Sequence, residues 1–275
     1  MSELASEAME SEFGTVAGWT EEAVLALGPE HAVPAGCRGS GSEGALRWLV
    51  DALAVRPGDR VLDSGAGVGG PAGWLAGERG VRPVCAEPMA PAVHAGRTLF
   101  GLPSVVALSQ ALPFADGAFD AAWCLGVLCT TEEKAALVAE LRRVLVDGGR
   151  LGLLVFVADQ PLPPPLPEGN SFPGSDEVSR LLDEAGFRVT GTADADLADS
   201  PPEWKARADA VDAEVQRRHG ADPAWAEAEE QSGRVGRLLG SGALRPRDRA
   251  DVVVLDDDLH VQEVLLAGRG LSGSR

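Results

Sequence analysis

Between residues 45 and 190, short apolar runs alternate with segments whose apolar residues repeat at helical spacing. In the segment 44–54, Leu46, Leu49, Val50 and Leu53 follow the i, i+3, i+4, i+7 pattern of an amphipathic helix. The alternation predicts strands at 60–64, 82–87, 104–108, 119–124 and 150–157, and further helices at 71–78, 88–99, 131–145 and 175–185. It is typical of α/β proteins, in which helices cover both faces of a mostly parallel sheet.

The same pattern divides the chain into four predicted parts. Residues 1–45 are expected to form a helical N-terminal cap, and 46–193 the α/β core. The acidic, Ala-rich segment 194–243 is expected to be a helical insertion, and 244–275 to complete the sheet. We expect a sixth strand at 187–192 and the final strand at 261–267, with 251–255 as a further short strand or the start of a closing hairpin.

A glycine-rich turn follows the first predicted strand. Asp63 ends the apolar run, and Gly65, Gly67 and Gly69 occupy alternate positions before a predicted helix begins. Glycines allow positive φ angles and let a ligand lie against bare backbone, close to the N–H groups of the helix start. Glu87 ends the second predicted strand, about 20 residues further on, where an acid can accept hydrogen bonds from both ribose hydroxyls. The pattern predicts a nucleotide-like cofactor.

Charge and composition narrow the classes of partner. The 275 residues carry a formal net charge of −18, so nucleic acid and anionic membranes are not expected partners. Four cysteines without CxxC pairs predict reduced thiols and no metal site. The acidic N-terminus lacks the features of a secretory signal, and no apolar run approaches the roughly 18 residues of a membrane span. We expect a cytoplasmic protein, monomeric or homodimeric, that binds a small-molecule substrate.

The glycine spacing alone leaves two cofactors open. Gly65-x-Gly67-x-x-Gly70 also fits the dinucleotide fingerprint, so an NAD-dependent oxidoreductase is an alternative. Two further segments, Leu-Pro-Phe-Ala-Asp-Gly-Ala-Phe-Asp at 112–120 and Leu-Arg-Arg-Val-Leu-Val-Asp-Gly-Gly-Arg-Leu at 141–151, follow the glycine turn in order. Together the three motifs resemble the class I S-adenosylmethionine-dependent methyltransferases, in particular the small-molecule branch with the L-P-F-x-D-x-x-F-D segment. The resemblance covers about residues 45–160.

The resemblance implies a Rossmann-like, seven-stranded, mostly parallel sheet with its last strand antiparallel. It also implies S-adenosylmethionine as cofactor, S-adenosylhomocysteine as product, and a site at the tips of the first two strands. Asp63 and the turn from Gly65 to Gly69 would then lie along the methionine and ribose, and Glu87 would hold the ribose. The remaining implied contacts are Pro88 and Met89 on the adenine face and Cys124 beneath the methyl group.

Two parts of this implied site depart from the family pattern or lack a clear candidate. The acid that usually binds adenine is missing at Leu108, which leaves Ser109 and Gln110 for that contact. His31 is the first candidate for a general base, ahead of His219, His94 and His260, and Arg38 is a candidate for the methionine carboxylate. Phe13, Trp19, Trp204 and Trp225 are candidates for an apolar substrate pocket.

The segment after the fourth strand also bears on the substrate. It lacks the Asn/Asp-Pro-Pro-aromatic turn often found in methyltransferases that act on nucleic acid and protein nitrogen, so a free metabolite is favoured. Two further alternatives keep the fold: a cofactor-binding protein without turnover, and an enzyme that uses the bound sulfonium for another reaction such as cyclisation.

Overall fold

The computed structural model describes residues 10–193 and 196–241, together with three short strand segments after residue 251. The strands are β1 (Arg60–Ser64), β2 (Arg82–Glu87), β3 (Ser104–Val106), β4 (Phe119–Leu125), β5 (Leu145–Leu154), β6 (Val189–Gly191), β7 (Val252–Val254), β8 (Leu265–Leu266) and β9 (Arg269–Gly270). Seven of them form one sheet in the order β3-β2-β1-β4-β5-β7-β6. The five strands from β3 to β5 are parallel, and β7 runs antiparallel to β5 and β6. The predicted α/β class and mostly parallel, Rossmann-like sheet are confirmed.

The helices are α1 (Val16–Leu27), α2 (Ala32–Gly36), α3 (Glu43–Leu53), α4 (Gly70–Arg79), α5 (Ala90–Phe100), α6 (Lys134–Val144), α7 (Ser175–Glu184), α8 (Pro202–His219) and α9 (Pro223–Gly240). A π-helical turn at Glu10–Thr15 leads into α1, and short 3-10 turns lie at Pro29–His31 and Leu128–Thr130. The predicted helices at 44–54, 71–78 and 88–99 correspond to α3, α4 and α5. In the described part of the chain, none of the helices combines the length and the hydropathy of a membrane span.

The antiparallel end of the sheet corrects the expected position of the last strand. The sheet closes with β7, in the 251–255 segment, because Val252, Val253 and Val254 form a β-branched run that pairs with β5. Leu265 and Leu266 instead pair with β9 in a separate two-stranded ladder. The rest of the 261–267 segment lies outside the described residues. The strand β5 also begins earlier than predicted, at Leu145, with a register shift opposite β4.

Apolar side chains pack on both faces of the sheet. On one face, α3 is capped by Ser42, whose side chain accepts the N–H of Ala45, and it packs Leu46 and Leu49 close to the fully buried Trp123. On the other face, side chains of α6 and α7 cover β4 and β5. Burying both faces fixes the strand positions, so the loops at their carboxyl ends form a stable platform.

The α1, α8 and α9 helices form a separate packed group. Val16, Val24, Val211 and Trp225 belong to one buried apolar cluster that joins the three helices. The helix α2 contacts α4 directly. Gly70 at the start of α4 packs against the backbone of Gly36, which leaves no room for a side chain at position 70. The described chain therefore packs its N-terminal helices together with its two long C-terminal helices.

Candidate functional site

The turn after β1 is held open by glycines with positive φ angles. Gly65 has φ of 76° and Gly67 has φ of 53°. A Cβ atom on Gly65 would overlap the side chain of Val127, whereas one on Gly67 would meet nothing within 4 Å. The N–H groups of Gly65 and Ala66 donate to the carbonyl of Ala86 in β2, at 2.8 and 3.2 Å. The turn is therefore tied to the sheet and presents bare backbone at Gly67.

Glu87 lies beside this turn with its carboxylate held from two directions. Oε2 accepts the N–H of Gly67 at 2.9 Å, and Oε1 accepts the N–H of Met89 at 3.0 Å. Burial raises the pKa of Glu87, and the two N–H groups oppose that rise. Each carboxylate oxygen can accept more than one hydrogen bond. Glu87 is therefore oriented to accept donors from a ligand at the tip of β2.

Asp63 is a buried acid without a full set of partners. Burial, followed by the negative charge of Glu87, raises its pKa to about 7, while the indole of Trp123 and the N–H of Ala72 oppose the rise. The contact with Trp123 falls short of hydrogen-bond geometry, so Oδ2 of Asp63 and Nε1 of Trp123 have no partner. A buried acceptor in this state favours a hydrogen-bond donor or a cation at the site.

A cavity of about 450 Å³ opens above these groups. Its volume falls in the range of roughly 300–1,000 Å³ that is usual for small-molecule sites. The wall includes residues that follow four parallel strands, among them Gly67 after β1, Pro88 after β2, Val127 after β4 and Phe156 after β5. The cavity therefore lies at the carboxyl ends of the strands, where parallel α/β sheets bind their ligands.

Two helices from opposite ends of the described chain cover the cavity. The N-terminal segment, made of the π-helical turn and α1, lines it with Phe13, Val16, Ala17 and Thr20. The helix α9 lines it with Ser232, Val235, Gly236 and Leu239. Both sets follow the i, i+3, i+4, i+7 spacing of one helix face. The helix α9 is tied to the loop after β5, since Gln231 accepts the N–H of Glu168 at 2.9 Å and Arg234 lies 3.5 Å from that carboxylate.

The loops after β4 and β5 are joined by a buried lysine. The ammonium of Lys134 donates to the carbonyl of Thr131 and to Oγ of Ser171, both at 2.8 Å. The N–H of Ser171 in turn donates to the carbonyl of Cys129 at 2.6 Å. Because neighbouring residues of both loops line the cavity, these bonds fix the shape of its wall.

Seven of the residues predicted for the site line this one cavity: Arg38, Asp63, Gly65, Gly67, Glu87, Pro88 and Met89. Arg38 is paired with Asp212 of α8 at its rim. Gly69 does not line the cavity and lies behind the turn as the N-cap of α4. Cys124 is fully buried in β4, and its neighbours Leu125 and Gly126 line the cavity instead.

The two predicted adenine contacts are not among the lining residues. Ser109 is buried and accepts a hydrogen bond from the hydroxyl of Ser64 at 2.8 Å. The amide of Gln110 donates to Glu133 at 3.1 Å. Leu108 is 52% exposed, so the residue that stands where the family acid is expected faces solvent.

None of the three described histidines lines the cavity. Nδ1 of His31 lies 3.2 Å from the carbonyl of Gly28, and Nε2 of His94 lies 3.7 Å from Glu21. His219 stacks on Trp19 with ring centroids 4.5 Å apart and lies 3.0 Å from Glu22. His260 lies outside the described residues. The structure therefore places His31 away from the cavity for which it was predicted as a base.

The remaining aromatic candidates divide between cavity and packing. Phe13 lines the cavity, whereas Trp204 and Trp225 pack in apolar clusters and Trp19 stacks on His219. Sequence reasoning missed Phe156, Asn170 and Phe172 after β5, and the stripe on α9. The spacing of residues 232, 235, 236 and 239 indicates one face of a helix, but nothing in the sequence pattern indicates that this face lies against a ligand.

Comparison with known proteins shows similarity to methyltransferases over part of the chain. Residues 62–153 match the family model described as a methyltransferase domain. Among curated relatives, methyltransferase GfsG of Streptomyces halstedii is 34% identical over 116 residues, 40% of this chain and 42% of that protein. The 24-methylenesterol C-methyltransferase 2 of Oryza sativa subsp. japonica is 29% identical over 176 residues, 57% of this chain and 48% of that protein. The chain thus spans less than half the length of these two relatives.

One solved structure supports the fold. The crystal structure of the [4+2]-cyclase SpnF matches with a TM-score of 0.57 and 22% identity, over 73% of this chain and 77% of that one. At this identity the likeness extends to the fold alone. The strand order and the antiparallel β7 described above belong to the same Rossmann-like architecture.

Proposed function

We propose that this chain, which carries a class I S-adenosylmethionine-dependent methyltransferase domain, methylates a small-molecule acceptor. The transfer would leave S-adenosylhomocysteine, and the accepting atom would be oxygen, nitrogen or carbon. The observation that carries the proposal is the Glu87 carboxylate, which is held by the glycine turn and the start of α5 and lines a cavity at the strand tips.

The residues present fit the cofactor. Glu87 keeps acceptor capacity for the two ribose hydroxyls, and Oδ2 of Asp63 is a buried acceptor without a partner, which suits a cationic or N–H-bearing ligand. Gly67 leaves open space along the backbone. When bound, S-adenosylmethionine supplies a methyl group activated by a sulfonium. The chain's own contribution is to orient the reactants and exclude water, which accounts for most of what such a displacement requires.

The helical segments at the two ends of the chain are proposed as the substrate cap. Residues 1–45 and 194–243 flank the core 46–193, and their helices contribute the stripes that face the cavity. Because they cover the cavity and contribute much of its apolar lining, they would select the acceptor. The closing segment 244–275 would complete the sheet.

Calorimetric titration with S-adenosylmethionine and with NAD tests the cofactor. We expect S-adenosylmethionine alone to bind, and Glu87→Gln to weaken it about 10- to 100-fold, since a charge-assisted hydrogen bond contributes roughly 1.5–3 kcal/mol. Glu184→Gln, at an exposed acid of α7, serves as the matched control. Binding of NAD in place of S-adenosylmethionine would overturn the proposal in favour of an oxidoreductase.

A second variant tests where the cofactor lies. Because Gly67 lines the cavity and a Cβ atom there would meet nothing within 4 Å, Gly67→Arg should extend its side chain into the site, at the cost of backbone strain from the φ of 53°. We expect no measurable S-adenosylmethionine binding, and undiminished affinity would contradict the placement. Radiolabelled methyl transfer across a panel of acceptors then tests turnover. Cofactor binding with no transfer to any acceptor would favour a binding protein or a cyclase of the same fold.

A further inference from the structure

Beyond the glycine turn and Glu87, the cavity is lined mainly by apolar side chains. Six of its large apolar lining side chains lie away from the first two strands and their turns: Phe13, Val16, Phe156, Phe172, Val235 and Leu239. We refer to these six as the apolar chamber. They come from the N-terminal helical segment, the loop after β5 and α9, and they share no residue with the proposed cofactor contacts.

The charged side chains that line the cavity either have partners already or belong to the proposed cofactor site. Among the described lining residues, only Arg38, Asp63 and Glu87 carry ionisable charges. Arg38 is neutralised by Asp212, and Glu87 accepts two backbone N–H groups. Asp63 lies at the glycine turn, where the cofactor is proposed to bind. A charged acceptor in the chamber would therefore find no counter-charge there.

Several polar side chains of the wall already donate to backbone carbonyls. The hydroxyl of Thr20 donates to the carbonyl of Val16 at 2.8 Å, and the hydroxyl of Thr130 donates to that of Val127 at 2.8 Å. Asn170 donates to the carbonyl of Glu168 at 3.2 Å. An ionic group moved from water into such a lining would lose its hydration without replacement, which is costly, whereas an apolar group would gain from burial.

We propose that the acceptor is a neutral, predominantly hydrocarbon molecule, and that the apolar chamber selects it against charged analogues. The proposal rests on the methyltransferase function proposed above and specifies its substrate class. The chamber discriminates by desolvation: it offers favourable burial to an apolar body and no partner for an ammonium or a carboxylate.

A displacement assay on the intact protein with S-adenosylhomocysteine present tests this selectivity. The probe is the neutral dye Nile red, and the competitors are 1-adamantanol, 1-adamantanecarboxylate and 1-adamantylammonium, which share one compact cage. We expect the alcohol to displace the dye at concentrations at least tenfold lower than either ion. Equal or tighter displacement by an ion, or no binding of the dye, would overturn the proposal.

Variants on α9 locate the effect. Leu239→Asp places a carboxylate in the chamber and should shift the preference at least tenfold toward 1-adamantylammonium. Ala226→Asp adds the same charge at an exposed position of the same helix and should change nothing. An unchanged preference in a folded Leu239→Asp protein would show that the dye binds elsewhere. S-adenosylhomocysteine titration separates the two proposals: failure of that binding refutes the methyltransferase function, whereas its success with no neutral preference refutes only the substrate class.

Discussion

Ionisation of Asp63 should make the protein less stable as the pH rises. The folded-state pKa of this acid is raised from 3.8 to about 7, first by burial and then by the charge of Glu87. An acid with a raised folded pKa contributes stability that is complete below its unfolded pKa and is lost as the pH passes through the folded value. About three pKa units at about 1.4 kcal/mol each amount to about 4 kcal/mol over the whole transition.

The Asp63→Asn substitution isolates this contribution, because the amide keeps the size of the side chain and does not titrate. Acid conditions near the pI of 4.6 favour precipitation, so urea unfolding is best measured between pH 5 and 8. Within that window the linkage relation predicts that Asp63→Asn gains about 2.5 kcal/mol relative to the parent protein as the pH rises.

Asp120→Asn provides a control of opposite character. Partial burial raises the pKa of Asp120, but the backbone N–H and guanidinium of Arg60 outweigh it and leave that pKa below its ordinary value. Asp120 is therefore ionised in both folded and unfolded chains from pH 5 to 8, and its variant should differ from the parent by a constant amount. Parallel pH profiles for the parent and Asp63→Asn would refute the reasoning about Asp63.

Four other substitutions give changes in stability or binding whose direction follows from the contacts. Gly70→Ala should destabilise the protein by more than about 1 kcal/mol in urea unfolding, because the new methyl overlaps the backbone of α2. Gly77→Ala lies in the same helix with open space around it, so it should stabilise the protein by about 0.5–1 kcal/mol. Equal effects of the two would contradict the contact. Gly65→Ala should cost about 1–2 kcal/mol in backbone strain alone, measured by thermal unfolding. Lys134→Met should cost about 1 kcal/mol, since it removes two hydrogen bonds to partly buried acceptors, and should weaken Nile red binding. Unchanged dye affinity would show that the Lys134 bonds do not shape the chamber.

The core of this fold was predictable because its signals are local. Short apolar runs and glycine ends identified β1, β2 and β4, and the spacing of Leu46, Leu49 and Leu53 identified α3. The final sheet strand was misplaced, because a 2-residue ladder at 265–266 and the 252–254 run both satisfy a short strand pattern, and only pairing with β5 separates them.

The candidate site was predictable where one segment carries several of its groups. Asp63, Gly65 and Gly67 lie in one turn, and Glu87 follows by the geometry of adjacent parallel strands. The chamber was not predictable in the same way. Val235 and Phe13 line the same cavity only through tertiary packing, and an apolar stripe that covers a ligand has the same spacing as one that covers a core.

The cover of the cavity has a consequence for how the protein is made. Its two helical stripes come from positions 13–20 and 232–239, near opposite ends of the described chain. A nascent chain can pair β1, β2 and β4 while α9 is still unsynthesised, since domains fold progressively during translation. The complete cover of the cavity therefore forms only after synthesis has passed residue 239, and a chain truncated before α9 would expose the apolar side chains that α9 otherwise covers.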